Sequence, residues 1–235
     1  MLDKNKSYVF WTVGKGVVSQ YIQRHGRRQL GMLPAQYRAA PFVNKDEVKE
    51  NVLAVHCGLV RHEDDGWMFY ESHAKTHGVH RCDYDKWQCV NNHDPIVFFE
   101  ANVAFDKAAQ LLSAKTPYSM VDIRALLVKG VSNAMQQLIR QKANDIIALS
   151  LPPDKDNGMI CSEYVASCVS DITDFYTLPC HSITPILIQN YAFMMHLQHG
   201  LQLFASVSSK DAKLTWLVQH PNLIYTPIEW STKDE

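Results

Sequence analysis

Two apolar segments separated by a short acidic turn constrain the fold of this chain most. Residues 52–61 (VLAVHCGLVR) and 67–72 (WMFYES) are rich in β-branched and aromatic side chains, and HEDDG links them. Asp65-Gly66 is a preferred pair for a type I′ turn, whose twist suits a two-residue hairpin loop. The sequence therefore predicts an antiparallel β-hairpin in which Asp64 lies opposite Trp67.

Strand-like and helix-like segments follow one another irregularly along the rest of the chain. Their order predicts an α+β fold. No repeat and no Gly/Ser/Pro-rich linker interrupts the 235 residues, so we predict one domain over 1–235. The main segments are strands at 8–13 and 96–100, a basic Gly-containing loop at 24–31, a core helix at 159–172 and a helix that Thr184-Pro185 opens and Gly200 closes.

Composition excludes several classes of function. The net charge is −1, which gives no electrostatic reason to expect nucleic-acid or anionic-membrane binding. Apolar runs are far shorter than the roughly 20 residues that cross a bilayer, so no transmembrane helix is expected. The start MLDKNKSYVFWTV lacks the features of a secretory signal, so we expect a cytoplasmic protein unless lysis, a phage particle or a secretion machine delivers it outside.

Cysteines are sparse and follow no disulfide or metal-binding pattern, so we predict free thiols. Cys161 stands out because it follows a Gly-containing turn and opens a helix. Unpaired N–H groups and the helix dipole at that position favour a thiolate, which suits a nucleophile. The alternative is a small buried hydrophobic residue, as most free cysteines are. The six cysteines are Cys57, Cys82, Cys89, Cys161, Cys168 and Cys180.

His56 interrupts the apolar run of the first hairpin strand, so it requires a polar partner or a solvent-lined cleft. With Asp64 opposite Trp67, residue numbers of paired positions sum to 131, which places Glu71, His73 and Lys75 on the face of His56. His73 is then offset by two residues, about 7 Å, and Glu71 by four. Spacing alone slightly favours His73 as the residue that orients His56, although a β-bulge would change this.

A histidine- and cysteine-rich stretch follows the hairpin. It contains no CxxC pair and no H-E-x-x-H motif, so we predict no metal ion and interpret it as a loop beside a substrate cleft, with zinc as the alternative. Gly14-Lys15-Gly16 lacks the spacing of a phosphate-binding loop, and no cofactor is predicted. The six possible ligands are His73, His77, His80, Cys82, Cys89 and His93.

An aromatic and methionine-rich stripe lies within the last predicted helix. Tyr191, Phe193, Met194 and Met195 compose it, and such a stripe is more often part of a core than a ligand site. We therefore predict a core face. A groove for an apolar substrate is the alternative.

Three motifs, in this order, resemble the permuted NlpC/P60 papain-like hydrolases of the YiiX type: VHCGLVRHEDDGWMFYES, KTPYSMVDI and MICSEYVA. His56 matches the strand histidine of that family, Glu71 the glutamate after an aromatic pair, and Cys161 the nucleophile of a Cys-Ser-Glu triplet. Pro117-Tyr118 matches a family dipeptide, and Gly78-Val79 the dipeptide that follows the acid. Residues 119–158 insert a helical segment where the family has a short link.

The resemblance implies a papain-like fold, in which an antiparallel sheet packs on the nucleophile helix. It also implies a thiol hydrolase in which Cys161 attacks an amide or peptide bond, His56 transfers the proton and Glu71 orients the imidazole; this overrides the slight geometric preference for His73. His73, Tyr118 and Ser162 become candidate orienting or cleft residues. Substrate candidates include cell-wall peptide.

Two alternative functions stay open at this point. The first is a lipid acyl hydrolase or acyltransferase on the same fold, acting on an acyl chain. The second is a non-catalytic structural or virion-associated module with a vestigial site, which would bind a macromolecular assembly partner. Rapid reaction of Cys161 with a mild electrophile near neutral pH would separate catalysis from a structural role.

Overall fold

The computed structural model describes residues 2–14, 17–43, 53–91, 96–119, 158–206 and 225–228. The predicted helical insertion 119–158 falls outside these residues except for its two ends, Ser119 and Gly158. Within the described residues, no helix combines the length and the apolar character needed to cross a membrane.

Seven described strands form one sheet in the order β4-β3-β2-β1-β5-β6-β7. Neighbouring strands are antiparallel except β6 and β7, which are parallel. Together with the helices, this sheet confirms the α+β class. The strands are β1 (Ser7–Val13), β2 (Ala54–Glu63), β3 (Gly66–His73), β4 (Gly78–Asp83), β5 (Ile96–Glu100), β6 (Leu203–Ser206) and β7 (Tyr225–Ile228).

The β2–β3 hairpin is confirmed, but its predicted register is wrong by two residues. Glu63 pairs with Gly66, so paired residue numbers sum to 129 instead of 131. Gly66 has φ +109°, whereas Asp64 and Asp65 are not among the residues with positive φ. A type I′ turn needs positive φ at both central residues. The chain therefore turns through Asp64 and Asp65, and Gly66 takes the left-handed position that begins β3.

Helices pack against the sheet. Among the described residues they are α1 (Val17–Met32), α2 (Ala40–Val43), α3 (Tyr84–Asn91), α4 (Phe105–Ser113), α5 (Cys161–Cys168), α6 (Ser170–Tyr176) and α7 (Pro185–His199). α7 has the predicted ends: the Thr184 hydroxyl accepts from the Leu187 N–H, and Gly200 is a left-handed C-cap.

Two of the helix boundaries differ from the sequence prediction. The predicted loop 24–31 is helical, because Gly26 lets α1 pack closely on α7: a Cβ at Gly26 would lie 2.0 Å from Ile186 Cδ1. The predicted helix 159–172 is two helices, since Val169 leaves helical geometry at φ −130° and ψ 88° between α5 and α6. Close helix packing and a local backbone break are both invisible in hydrophobic periodicity.

Both faces of the sheet are apolar. On one face α5 and α7 pack against β2 in the larger core, which includes Trp11, Leu59 and Phe193. On the other face an aromatic cluster includes Phe69 and Trp87 of α3, whose rings stack 4.8 Å apart. Burying a side chain of this size stabilises the fold by about 1.5–3 kcal/mol. The sheet is thus a rigid middle layer, and the candidate site residues stand on it.

Candidate active site

A bulge in β2 lies directly before His56. Thr12 pairs with His56 and Val13 with Ala54, so Val55 is an extra residue on β2. Accordingly Ala54 and Cys57 both belong to the core on the α5 side, although they are three positions apart. Side chains alternate strictly along a regular strand, so only a bulge places both there. His56 itself follows the regular register of β2 with β1, directly after the bulge.

Glu71 on β3 is the residue that contacts His56. Its Oε2 lies 2.6 Å from His56 Nε2 and accepts a 2.7 Å hydrogen bond from Trp87 Nε1. His80 Nε2 lies 3.3 Å from its other oxygen, Oε1. Glu71 is fully buried. A buried carboxylate is unfavourable unless polar groups surround it, and Glu71 is hydrogen-bonded to His56 and Trp87 with His80 close by.

Sequence analysis missed Trp87, and it considered His80 only as a metal ligand. Trp87 is fully buried and follows the polar start Tyr84-Asp85-Lys86 of helix α3, and its ring packs edge-on against Phe10 at 5.3 Å. A tryptophan inside a polar helical segment is a usable signal, because its N–H requires an acceptor when buried. His80 pairs directly with Glu71 across β3 and β4. Correct β3–β4 register would have identified it.

Cys161 is the first residue of α5 and is 5% exposed. Its helix start is held by Met159, two residues before it, whose N–H donates to the Pro117 carbonyl at 2.9 Å. The Met159 carbonyl in turn accepts a 2.6 Å hydrogen bond from Ser72 Oγ on β3. The β3 strand that carries Glu71 therefore also fixes the approach of the chain to Cys161.

Glycine is required at position 78 for the same anchoring. Gly78 has φ +151°, and a Cβ there would lie 2.2 Å from the Thr116 carbonyl oxygen. The close approach allows Gly78 to bridge Pro117, beside the segment that supports Met159. Any other residue would displace this support.

The surroundings of the Cys161 thiol favour its thiolate form. A hydrogen bond from the Cys57 side chain is the largest influence that lowers its pKa, and the charge and hydrogen bond of His56 and a backbone hydrogen bond from Cys57 add to it. Together they outweigh burial, so the pKa of Cys161 lies well below its usual value. Burial and the Cys161 neighbour raise the pKa of Cys57. One of the two adjacent thiols therefore ionises and the other stays protonated.

His56 is the cationic partner of this thiolate. Burial opposes its charge, but the charge of Glu71 and then the charge and hydrogen bond of Cys161 outweigh burial and raise the His56 pKa from 6.5 to about 10. Since Nε2 faces Glu71, Nδ1 is the nitrogen left for Cys161. The arrangement is a thiolate–imidazolium pair oriented by a buried carboxylate, and it can perform nucleophilic acyl transfer.

The other three predicted site residues surround this group without replacing Glu71. The His73 ring lies edge to face with that of His56, with centroids 5.2 Å apart. Burial, and then the charge of His56, lower the pKa of His73 to about 4. Tyr118 is half-buried, and its backbone N–H donates to His77 at 3.2 Å. Ser162 is fully buried, and its Oγ has no hydrogen-bond partner in the described part of the chain.

The histidine-rich stretch forms the end of β3, a short turn and β4. No group of three His, Cys, Asp or Glu side chains among the described residues is arranged to hold a metal ion. The Cys89 side chain and His93 lie outside that description. Cys57, Cys82, Cys161, Cys168 and Cys180 are free thiols.

The aromatic and methionine-rich stripe lies mainly in the core, as the sequence favoured. Phe193 is fully buried and stacks on Phe42 at 5.3 Å, and Met194 is 5% exposed. Met195 and Tyr191 line a surface cavity of about 490 Å³, whose lining includes neither Cys161 nor His56. The alternative of an acyl-chain groove beside the nucleophile therefore finds no support in this stripe.

We compared the chain with known proteins in three ways. A scan against models of protein families, a search of curated proteins and a search of solved structures each found no match.

Proposed function

We propose that this protein is a cysteine hydrolase with a permuted papain-like fold, similar to the NlpC/P60 hydrolases of the YiiX type. The observation that carries the proposal is the contact of Cys161, at the start of a helix, with a His56 ring whose other side is bound by Glu71. The chain order His56, Glu71, Cys161 is the permuted order. The α5 helix packed on β2 and β3 is consistent with the papain-like arrangement.

In the proposed reaction, the Cys161 thiolate attacks the carbonyl carbon of an amide or peptide bond and forms a C–S bond. The His56 imidazolium donates its proton to the leaving nitrogen as the C–N bond breaks. Water then attacks the thioester while His56 accepts its proton, and Cys161 leaves as a thiolate. Glu71 keeps the imidazole oriented and stabilises its charge throughout.

The backbone N–H groups at the start of α5 are suited to stabilise the developing oxyanion. Ile160, the N-cap residue, makes no side-chain capping hydrogen bond. The first N–H groups of a helix lack intrahelical acceptors, and the N–H of Cys161 is one of them. Such donors, fixed before the reaction, stabilise a tetrahedral intermediate strongly.

Substrate preference is tested by offering several acyl compounds to one purified sample. We expect amide or peptide hydrolysis, with muramyl-type wall peptides as one candidate class, and no preference for long acyl chains. A phospholipid or long-chain thioester cleaved faster than every peptide would establish the lipid acyl alternative. Cys161→Ala is the matched negative control for each substrate.

Limited alkylation with iodoacetamide tests the nucleophile without a known substrate. At pH 5.5 an ordinary thiol of pKa about 8.5 is ionised to about one part in a thousand, so Cys161 is expected to react at least about tenfold faster than Cys82 or Cys180. Peptide mass spectrometry measures the rates. His56→Ala is expected to remove most of the advantage, whereas His62→Ala, on the same strand, is the matched control.

Equal labelling of Cys161 and the half-buried cysteines, unaffected by His56→Ala, would contradict the proposed function. That result would favour the structural or virion-associated module.

A further inference from the structure

We propose that His80 is a positioning residue of this site, which holds the second carboxylate oxygen of Glu71 so that the first stays directed at His56. This inference rests on the proposed function of Cys161, and it adds a fourth side chain to the group formed by Cys161, His56 and Glu71.

The backbone places His80 directly beside Glu71. The two residues are a cross-strand pair of β3 and β4, and side chains of such pairs project from the same face. His80 Nε2 lies 3.3 Å from Glu71 Oε1. This nitrogen is buried and makes no hydrogen bond of good geometry within the described part of the chain. The Glu71 carboxylate is thus its close polar neighbour.

Thr76 fixes the other side of the His80 ring. Its Oγ1 lies 2.8 Å from His80 Nδ1 and within 3.3 Å of the His73 and Gly78 carbonyl oxygens. A carboxylate only accepts hydrogen bonds, so a lone pair on Nε2 would face Glu71 unfavourably. The Thr76 hydroxyl contacts Nδ1 and donates to the neighbouring backbone carbonyls, so it holds the His80 ring with Nε2 toward Glu71.

The two carboxylate oxygens of Glu71 therefore have different contacts. Oε2 faces His56 and Trp87, and Oε1 faces His80. A partial rotation of the carboxylate would move Oε2 out of hydrogen-bonding distance of His56 Nε2. A donor at Oε1 opposes that rotation, so His80 acts on Cys161 through Glu71 and His56.

Two substitutions separate a hydrogen-bond donor from a space-filling ring. His80→Gln keeps an N–H near the position of Nε2, whereas His80→Leu keeps volume and removes the donor. The readout is the pH dependence of Cys161 alkylation between pH 4 and 8 in the full chain, normalised to the native fraction by circular dichroism. The described titratable groups around His56 and His80 include Glu71, Cys161, Cys57 and His73, and both variants keep them.

We expect His80→Leu to slow alkylation at pH 6 about two- to tenfold, the change that one hydrogen bond supplies, and to move the acid limb to higher pH. The reason is that a less oriented Glu71 stabilises the imidazolium less, and the thiolate with it. His80→Gln is expected to follow the wild type. Identical profiles for the two variants, whether normal or equally impaired, would overturn the proposal.

Thr76→Val provides a second test should His80→Leu fail to fold. Thr76 is exposed, and its hydroxyl is the group that holds the orientation of the His80 ring. We expect a smaller shift of the acid limb in the same direction, and an unmoved limb would contradict the role of His80. Slow labelling of Cys161 in the wild type would instead refute the proposed function itself.

Discussion

Two glutamates on one hairpin occupy opposite electrostatic environments. Glu63 ends β2 at the turn, and Glu71 lies near the far end of β3. The Glu63 side chain is 19% exposed and contacts Arg61, Arg81 and the Tyr70 hydroxyl. Glu71 is fully buried and contacts two histidines and a tryptophan N–H.

The comparison shows how the surroundings of a carboxylate determine which group its charge affects. Glu63 has two permanent cations beside it, and hydrogen bonds from Tyr70, Arg61 and Arg81 outweigh burial and lower its pKa. Its charge is already neutralised, and its partners are partly in solvent. The buried charge of Glu71 instead raises the pKa of His56, which it contacts.

Activity should show the largest contrast between the two residues. Glu71→Gln is expected to reduce kcat/KM by about 10²- to 10⁴-fold, because the imidazole loses its orientation and the charge that stabilises it. Glu63→Gln is expected to stay within about twofold of the wild type, as surface substitutions do. Initial rates on the best acyl substrate measure both. Similar losses in the two variants would mean that hairpin stability, and not the buried charge, supports the reaction.

Titration of His56 should sharpen the contrast. Removing the Glu71 charge is expected to lower the His56 pKa from about 10 by about one to three pH units, whereas Glu63→Gln leaves it unchanged. The stabilisation from the folded imidazolium is complete below pH 6.5 and is lost as the pH rises through about 10. In Glu71→Gln this loss occurs at lower pH. Histidine ring nitrogen NMR checks the pKa, and an unchanged value would break the comparison.

Removing one neutral hydrogen-bond donor beside each glutamate compares how strongly each carboxylate depends on that donor. Trp87→Phe is expected to destabilise the fold by about 1–3 kcal/mol beyond the lost ring volume, because the fully buried carboxylate loses a donor. Tyr70→Phe removes the hydroxyl at Glu63 and should have an effect within about 1 kcal/mol, since solvent and two arginines remain. Urea denaturation measures both free energies of unfolding. The reverse order would show that Glu71 is satisfied by other groups.

A change in salt concentration is expected to produce the smallest difference between the two glutamates. The Arg61 and Arg81 side chains are 38% and 35% exposed, so their pairs with Glu63 are screened, and Arg81→Gln is expected to change stability by less than about 1 kcal/mol, less still in 1 M salt. The pH profile of Cys161 alkylation, which depends on buried Glu71, should shift little over the same range. A strongly salt-dependent profile would show that solvent reaches the site.

The sequence predicted that the hairpin forms, but it did not predict which residues pair across it. The apolar-rich segments 52–61 and 67–72 and the Asp-Gly turn between them were enough to predict an antiparallel pair, and a shift of two residues preserves which face each side chain occupies. His56 and Glu71 were therefore kept together despite the wrong turn. The positive φ of Gly66 determines the two-residue shift in register, whereas the dipeptide Asp65-Gly66 is compatible with both the predicted and the observed turn.

The parts of the site that sequence analysis missed come from contacts at long range. Trp87 reaches Glu71 from a helix that follows β4, and Cys57 reaches Cys161 on a helix far along the chain. Neither effect leaves a periodic pattern in the sequence. The resemblance to a family supplied Glu71, where spacing alone favoured His73.

The division of the site between a hairpin and a distant helix has a consequence for the order of folding. His56 and Glu71 are 15 residues apart, so they meet when one hairpin closes, whereas Cys161 must be recruited from about a hundred residues further along the chain. Until α5 docks, Cys161 is an ordinary thiol with a pKa near 8.5, mostly protonated at neutral pH. The low pKa of Cys161 therefore requires α5 to be docked on the hairpin, and a chain in which α5 is undocked lacks the thiolate that the proposed function needs.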